Sequence, residues 1–120
     1  MYQSILNAYN QAMIDEKIDN VIPVTPIIQQ TRELGISDID TADGGSHLST
    51  NGCYIASCIW AEMLLRYHFD QSVASNKSIV DATFKISSIS EENDIKIKQL
   101  AKDIVENITT YFPNQKIKNI

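Results

Sequence analysis

The run from Cys53 to Leu65 is apolar in almost every direction a helix could turn it, broken only by Ser57 and Glu62. A surface helix carries one apolar stripe. A helix that is apolar all round is one that neighbouring elements cover on more than one side. Ser49 is a natural N-cap for it, and Leu48 before and Cys53 after that cap fit a hydrophobic staple. Whatever this chain folds into must cover most of the surface of one central helix.

The flanking sequence offers candidates for that cover. Tyr2, Ile5, Leu6, Tyr9, Ala12 and Met13 recur at helical spacing and predict an amphipathic first helix. Lys17 to Asn20 reads as a polar turn. Val21-Ile22-Pro23-Val24 is short, apolar and partly β-branched, and reads as a buried strand end. Thr25-Pro26 restarts a helix, with a hydroxyl at the cap and proline at the first helical position. Ile27, Ile28, Thr31 and Leu34 follow, and Gly35 suits the C-terminal cap.

Ile36 to Ser46 is an Asp-, Ser- and Gly-containing loop that carries Asp38, Asp40 and Asp43. His68 to Lys77 reads as a turn or loop, and Ile79 to Ile86 has β-like character with little alternation. Ser88 or Ser90 then caps a long helix, with Glu91 and Glu92 at the positive end of its dipole. Ile97, Leu100, Ala101, Ile104, Val105, Ile108 and Tyr111 form its inward stripe, which stops at Phe112 before Pro113.

Helix, strand, helix, loop and buried helix is the element order of a three-layer α/β domain. A lone buried strand leaves its backbone groups unpaired, at a kcal/mol or more each. The expectation is therefore that further strands lie upstream of Met1. The 120 residues would then form a single partial domain.

Composition narrows the partners. The formal net charge is -5 and the basic residues are scattered, which argues against a sequence-independent nucleic-acid surface. Lys96, Lys98 and Lys102 are interleaved with acids and read as a solvated helix face. Met1-Tyr2-Gln3-Ser4 lacks the basic and apolar regions of a signal peptide, and no segment reaches the ~18 apolar residues of a membrane span. The compartment stays open. Cys53 and Cys58 point to well-separated directions of one helix, which argues against a disulfide between them, and both read as small buried hydrophobes. No His, Cys and carboxylate set has metal-ligand spacing, and no cofactor is assigned.

The chemistry concentrates in Thr41-Ala42-Asp43-Gly44-Gly45-Ser46-His47-Leu48, where Asp43 and His47 share one tight glycine loop. A carboxylate beside an imidazole fixes the ring tautomer and stabilises the imidazolium, as a hydrolytic general base requires. The bland alternative is an exposed turn with a chance histidine. Ser46 and Ser49 are poor nucleophiles for His47, because neighbours on a turn rarely aim at each other and Ser49 is a cap. His68 fits the negative end of a helix dipole. Tyr54, Trp60 and Tyr67 sit at helical spacing and read as core rather than as a substrate platform.

On these residues the chain resembles the C-terminal part of an SGNH (GDSL-type) hydrolase. The closest likeness is to an uncharacterised bacterial branch with Asp-Gly-x-His-Leu, a Gly-Tyr-Leu-Ala-Ala-like helix start and a Trp in that helix. The counterparts are Asp43, Gly44, His47 and Leu48, then Gly52, Tyr54, Ile55, Ala56 and Trp60. Val80-Asp81-Ala82-Thr83-Phe84-Lys85 and the helix entering Val21-Ile22-Pro23-Val24 are similar too.

The resemblance implies a flavodoxin-like three-layer α/β/α fold, of which this chain would be the C-terminal portion, mostly helical with one or two strands. It implies His47 as general base and Asp43 as its orienting carboxylate. It also implies an ester substrate, by family habit an acylated carbohydrate. Three residues separate Asp43 from His47 where the family usually has two, and no Gly-Asp-Ser nucleophile block is present. Asp40 or Asp38 could replace Asp43 if the loop folds back. The alternative from another class is a non-catalytic remnant or interaction module. It would self-associate or bind a partner chain through the Ser49–Tyr67 helix.

Overall fold

Helices alone make up the regular secondary structure among the described residues of the computed structural model, which are 1–40, 47–75 and 86–116. They are α1 (Tyr2–Asp15), α2 (Val24–Glu33), α3 (Thr50–Phe69), α4 (Glu91–Glu106) and a short α5 (Ile108–Tyr111). Helices α2, α3 and α4 pack against one another, and α1 lies on α2. Ile27, Ile55, Ile59, Ile97, Ile104, Val105 and Phe112 fill the space between them. No described helix is long and apolar enough to cross a membrane.

The three-layer α/β expectation is thereby corrected: the described residues contain no strand and no sheet. The reason lies at Val21. This residue does sit in an irregular, half-buried apolar segment, and its backbone does need a partner. The partner is a side chain. The Val21 N–H donates to Gln115 Oε1 at 2.9 Å, and Gln115 Nε2 donates to the Val21 carbonyl at 3.2 Å. One fully buried primary amide thus does what a neighbouring strand residue would do in an antiparallel pair. Lys116 N–H adds a bond to the Asp19 carbonyl at 3.0 Å. The segment is satisfied without a sheet, so upstream strands are not required to explain it.

Local signals place the helix ends with small departures. Helix α2 begins at Val24, ahead of the expected Thr25 cap, and Pro26 sits in its first turn, where a missing N–H costs no helical bond. Its end is the expected glycine stop. Gly35 has φ 82°, its N–H donates to Arg32 O at 2.9 Å, and the Ile36 N–H donates to Thr31 O at 3.4 Å. These are the two bonds of a Schellman motif. Ser49 caps α3 by accepting from Gly52 N–H at 3.2 Å. Ser90, rather than Ser88, caps α4 by accepting from Asn93 N–H at 3.2 Å. The long last helix is interrupted at Asn107, whose side chain donates to the Asp103 carbonyl at 2.9 Å.

Helix α3 is also corrected. It is apolar on most faces, but the described residues cover it on one side only. Gly52, Tyr54, Ile55, Cys58, Ile59, Glu62 and Met63 are buried, while Cys53, Trp60, Leu64 and Tyr67 are exposed. Trp60, Tyr67 and Cys53 are therefore not core residues.

Candidate functional site

The loop that carries the Asp/His pair is clamped at its base. Asp40 and Leu48 form an isolated antiparallel bridge, and the Ser49 N–H donates to Ile39 O at 2.7 Å. Ser49 Oγ also donates to the Asp38 carbonyl. The clamp needs glycine at position 52, where an added Cβ would lie 2.3 Å from Ile39 O. Arg32 holds the Asp40 carboxylate by both oxygens, at 2.7 and 2.6 Å.

His47 is exposed just outside this bridge. Asp43 lies outside the described residues, as do Ser46 and the Val80–Lys85 segment. Asp40, the substitute carboxylate, is engaged by Arg32. Beside the bridge, Leu48 lines an open cleft of about 370 Å³ shared with Tyr2, Ile5, Val24, Ile28 and Arg32. No group of His, Cys, Asp and Glu among the described residues could hold a metal ion.

Two buried polar clusters escaped the sequence reading. In the first, Asp94 on α4 accepts from the Tyr54 hydroxyl of α3 and from Lys98 Nζ at 2.8 Å. Lys98 is 2% exposed, which corrects its assignment to a solvated face; Lys96 does lie on that face, paired with Glu92. Burial, reinforced by the hydrogen bond to Asp94, pushes the Tyr54 phenol far above its ordinary range.

In the second, fully buried Glu62 accepts from Ser72 Oγ with both oxygens at 2.9 Å, from Val73 N–H at 2.7 Å and from Arg66 Nε at 2.9 Å. Arg66 also reaches Glu106 at 2.6 Å, and Lys102 meets the same carboxylate at 2.8 Å. Burial alone would lower the Arg66 pKa, but hydrogen bonding to Glu106 and the charge of Glu62 raise it overall. Lys102 first, then Arg66, hold Glu106 below its ordinary value. The signal for both clusters was the i, i+4 pairing of Asp94 with Lys98 and of Glu62 with Arg66. Both clusters join elements: one ties α3 to α4, and the other ties the 72–75 turn to α3.

The remaining feature is the face of α3 that the other described residues leave exposed. Cys53, Ser57, Trp60, Leu64 and Tyr67 follow one another at spacings of four, three, four and three. That is the seam of a helix that packs lengthwise on another helix. Trp60 is 51%, Leu64 51% and Tyr67 57% exposed. The charges of α3 within this stretch, Glu62 and Arg66, both turn inward, with side-chain exposures of 0% and 10%. His68 stacks edge-on against Tyr67 at 4.8 Å, at the end of the seam.

Comparison with family models, with curated proteins and with solved structures finds no match to this chain.

Proposed function

We propose that the chain is an interaction module that docks another polypeptide helix along the exposed seam of α3. The observation that carries this reading is the large end of the seam: Trp60, Leu64 and Tyr67 follow at spacings of four and three, each about half exposed, with no charge among them. Scattered exposed hydrophobics are ordinary, but a contiguous line of three large ones along about 10 Å of helix is the kind of patch that marks a protein contact. The buried clusters support the role, because they fix α3 to α4 and to the 72–75 turn and so present the seam on a rigid element.

The test uses a hydrophobic dye and the Leu64→Ser variant. Leu64 is exposed, so the substitution is expected to leave stability within about 0.5 kcal/mol of the parent. The parent chain is expected to bind the dye in its folded state, and Leu64→Ser to lose most of that binding. A dye-silent parent with a cooperative melt would overturn the reading.

The ester-hydrolase reading, with Asp43 and His47 as two triad members, ranks second and rests on the sequence resemblance. With no nucleophile block in these residues, the purified chain is expected not to hydrolyse aryl esters above a His47→Ala control on either reading. An in-frame Gly-Asp-Ser-like block in the DNA immediately upstream of Met1 would favour the hydrolase reading, and its absence the interaction module.

A further inference from the structure

We infer that the cleft beside the Asp40–Leu48 bridge binds a small amphipathic monocarboxylate, its acid group on Arg32 and its apolar tail along α2. This site is separate from the α3 seam and does not rest on the docking role proposed above.

Three elements give the cleft its shape. Val24, Ile28 and Arg32 recur every four residues, so they form one line down α2. Tyr2 and Ile5 of α1 and Leu48 of the bridge complete the walls. Its volume of about 370 Å³ and its mostly apolar lining are those of a small-molecule site. Arg32 lies about 12 Å beyond Val24 along the helix, which is room for an extended acyl chain of about eight carbons.

Charge selects the head group. Arg32 is the only charged side chain among the residues that line the cleft. Its Nη2 holds both oxygens of Asp40, at 2.7 and 2.6 Å, while Nε and Nη1 carry no hydrogen bond among the described residues. Of the five guanidinium N–H donors, three are therefore unused. A carboxylate accepts such donors in a charge-assisted bond; an alcohol makes a weaker one and an ammonium none. Asp40 itself does not line the cleft. Its backbone bridges Leu48 and its carboxylate grips Arg32, so one short bridge fixes an apolar wall and the charged end together.

The experiment is proton–nitrogen correlation NMR of the full chain titrated with octanoate, octanol or octylammonium. Octanoate is expected to shift the amides of Val24 to Arg32 saturably, with a dissociation constant on the order of a millimolar for so few atoms. Octanol is expected to bind about fivefold more weakly, because half-exposed Arg32 makes a modest ion pair, and octylammonium more weakly still. Arg32→Gln should bring octanoate down to the level of octanol. Ile5→Glu, at a position already 37% exposed, should keep the fold and weaken octanoate by placing a like charge on the cleft wall.

Octanol binding as tightly as octanoate would overturn the carboxylate as head group, and so would a preference for octanoate that survives Arg32→Gln. Octanoate binding that Ile5→Glu leaves unchanged would overturn the cleft as the site. So would shifts confined to α3, or none up to about ten millimolar.

Discussion

Replacing Gln115 with Met should cost far more than the loss of one C-terminal side chain suggests. Met keeps the length and the apolar stem of Gln115 but removes the amide that pairs both backbone groups of Val21. Each lost bond forfeits about 0.5–1.5 kcal/mol, and each group left without a partner costs up to about 1–3 kcal/mol. Val21 is only half-buried, so water recovers part of this, and the sum is about 2–3 kcal/mol. For a chain of this size that lowers Tm by about 10 °C.

The companion variant Gln115→Glu sharpens the test. One carboxylate oxygen still accepts from Val21 N–H, but the other faces the Val21 carbonyl. The folded state therefore favours the protonated acid, which can donate to that carbonyl, and the folded pKa is raised. The sign follows: this variant gains stability relative to the parent as pH falls through the raised folded value toward the ordinary one. Urea unfolding followed by circular dichroism at neutral and mildly acid pH reads both effects. A Gln115→Met variant within about 0.5 kcal/mol of the parent would refute the reasoning that one side-chain amide replaces a neighbouring strand.

Three further outcomes are expected. Lys98→Met strands the Asp94 carboxylate in the core and should cost about 3–5 kcal/mol in urea unfolding, whereas Lys98→Met with Asp94→Leu and Tyr54→Phe, which removes the whole cluster, should recover much of that loss; a single-variant cost below about 1 kcal/mol would mean that water reaches the pair. Gly52→Ala drives a methyl against Ile39 O and should destabilise by about 1–3 kcal/mol, and a neutral melt would show that the clamp below the Asp/His loop is loose. Glu106 is held below its ordinary 4.5 by Lys102 and Arg66, so its contribution is present above that value and lost as pH falls through the folded one; Glu106→Gln should lower stability at neutral pH and narrow the gap between neutral and acid, and an unchanged pH profile would sink this.

Much of the fold was legible in local chemistry. The Ser49 cap, the Gly35 stop and the α4 stripe depend on residues close in sequence, and the structure places each where its chemistry asks. The strand at Val21–Val24 failed for a non-local reason: its hydrogen-bond partner is a glutamine 94 positions away, and periodicity carries no trace of such a bond. Lys98 failed because interleaved charge reads as solvated, although Asp94 one turn earlier neutralises it within the core. The seam of α3 was hidden by the apolar residues on the opposite side of the same helix. Only the buried positions of Ile55, Ile59, Glu62 and Met63 show which half faces inward. Of the Asp/His pair, His47 is exposed and Asp43 lies outside the described residues.

Trp60 is the only tryptophan in the chain and sits at the middle of the seam, so acrylamide quenching of its fluorescence, at a concentration where the chain is monomeric, tests the central claim most directly. An uncovered α3 face predicts solvent-type emission and quenching close to that of a free tryptophan in solution. Blue-shifted emission that resists quenching in the dilute monomer would mean that the chain covers this face itself, and would contradict the interaction-module account.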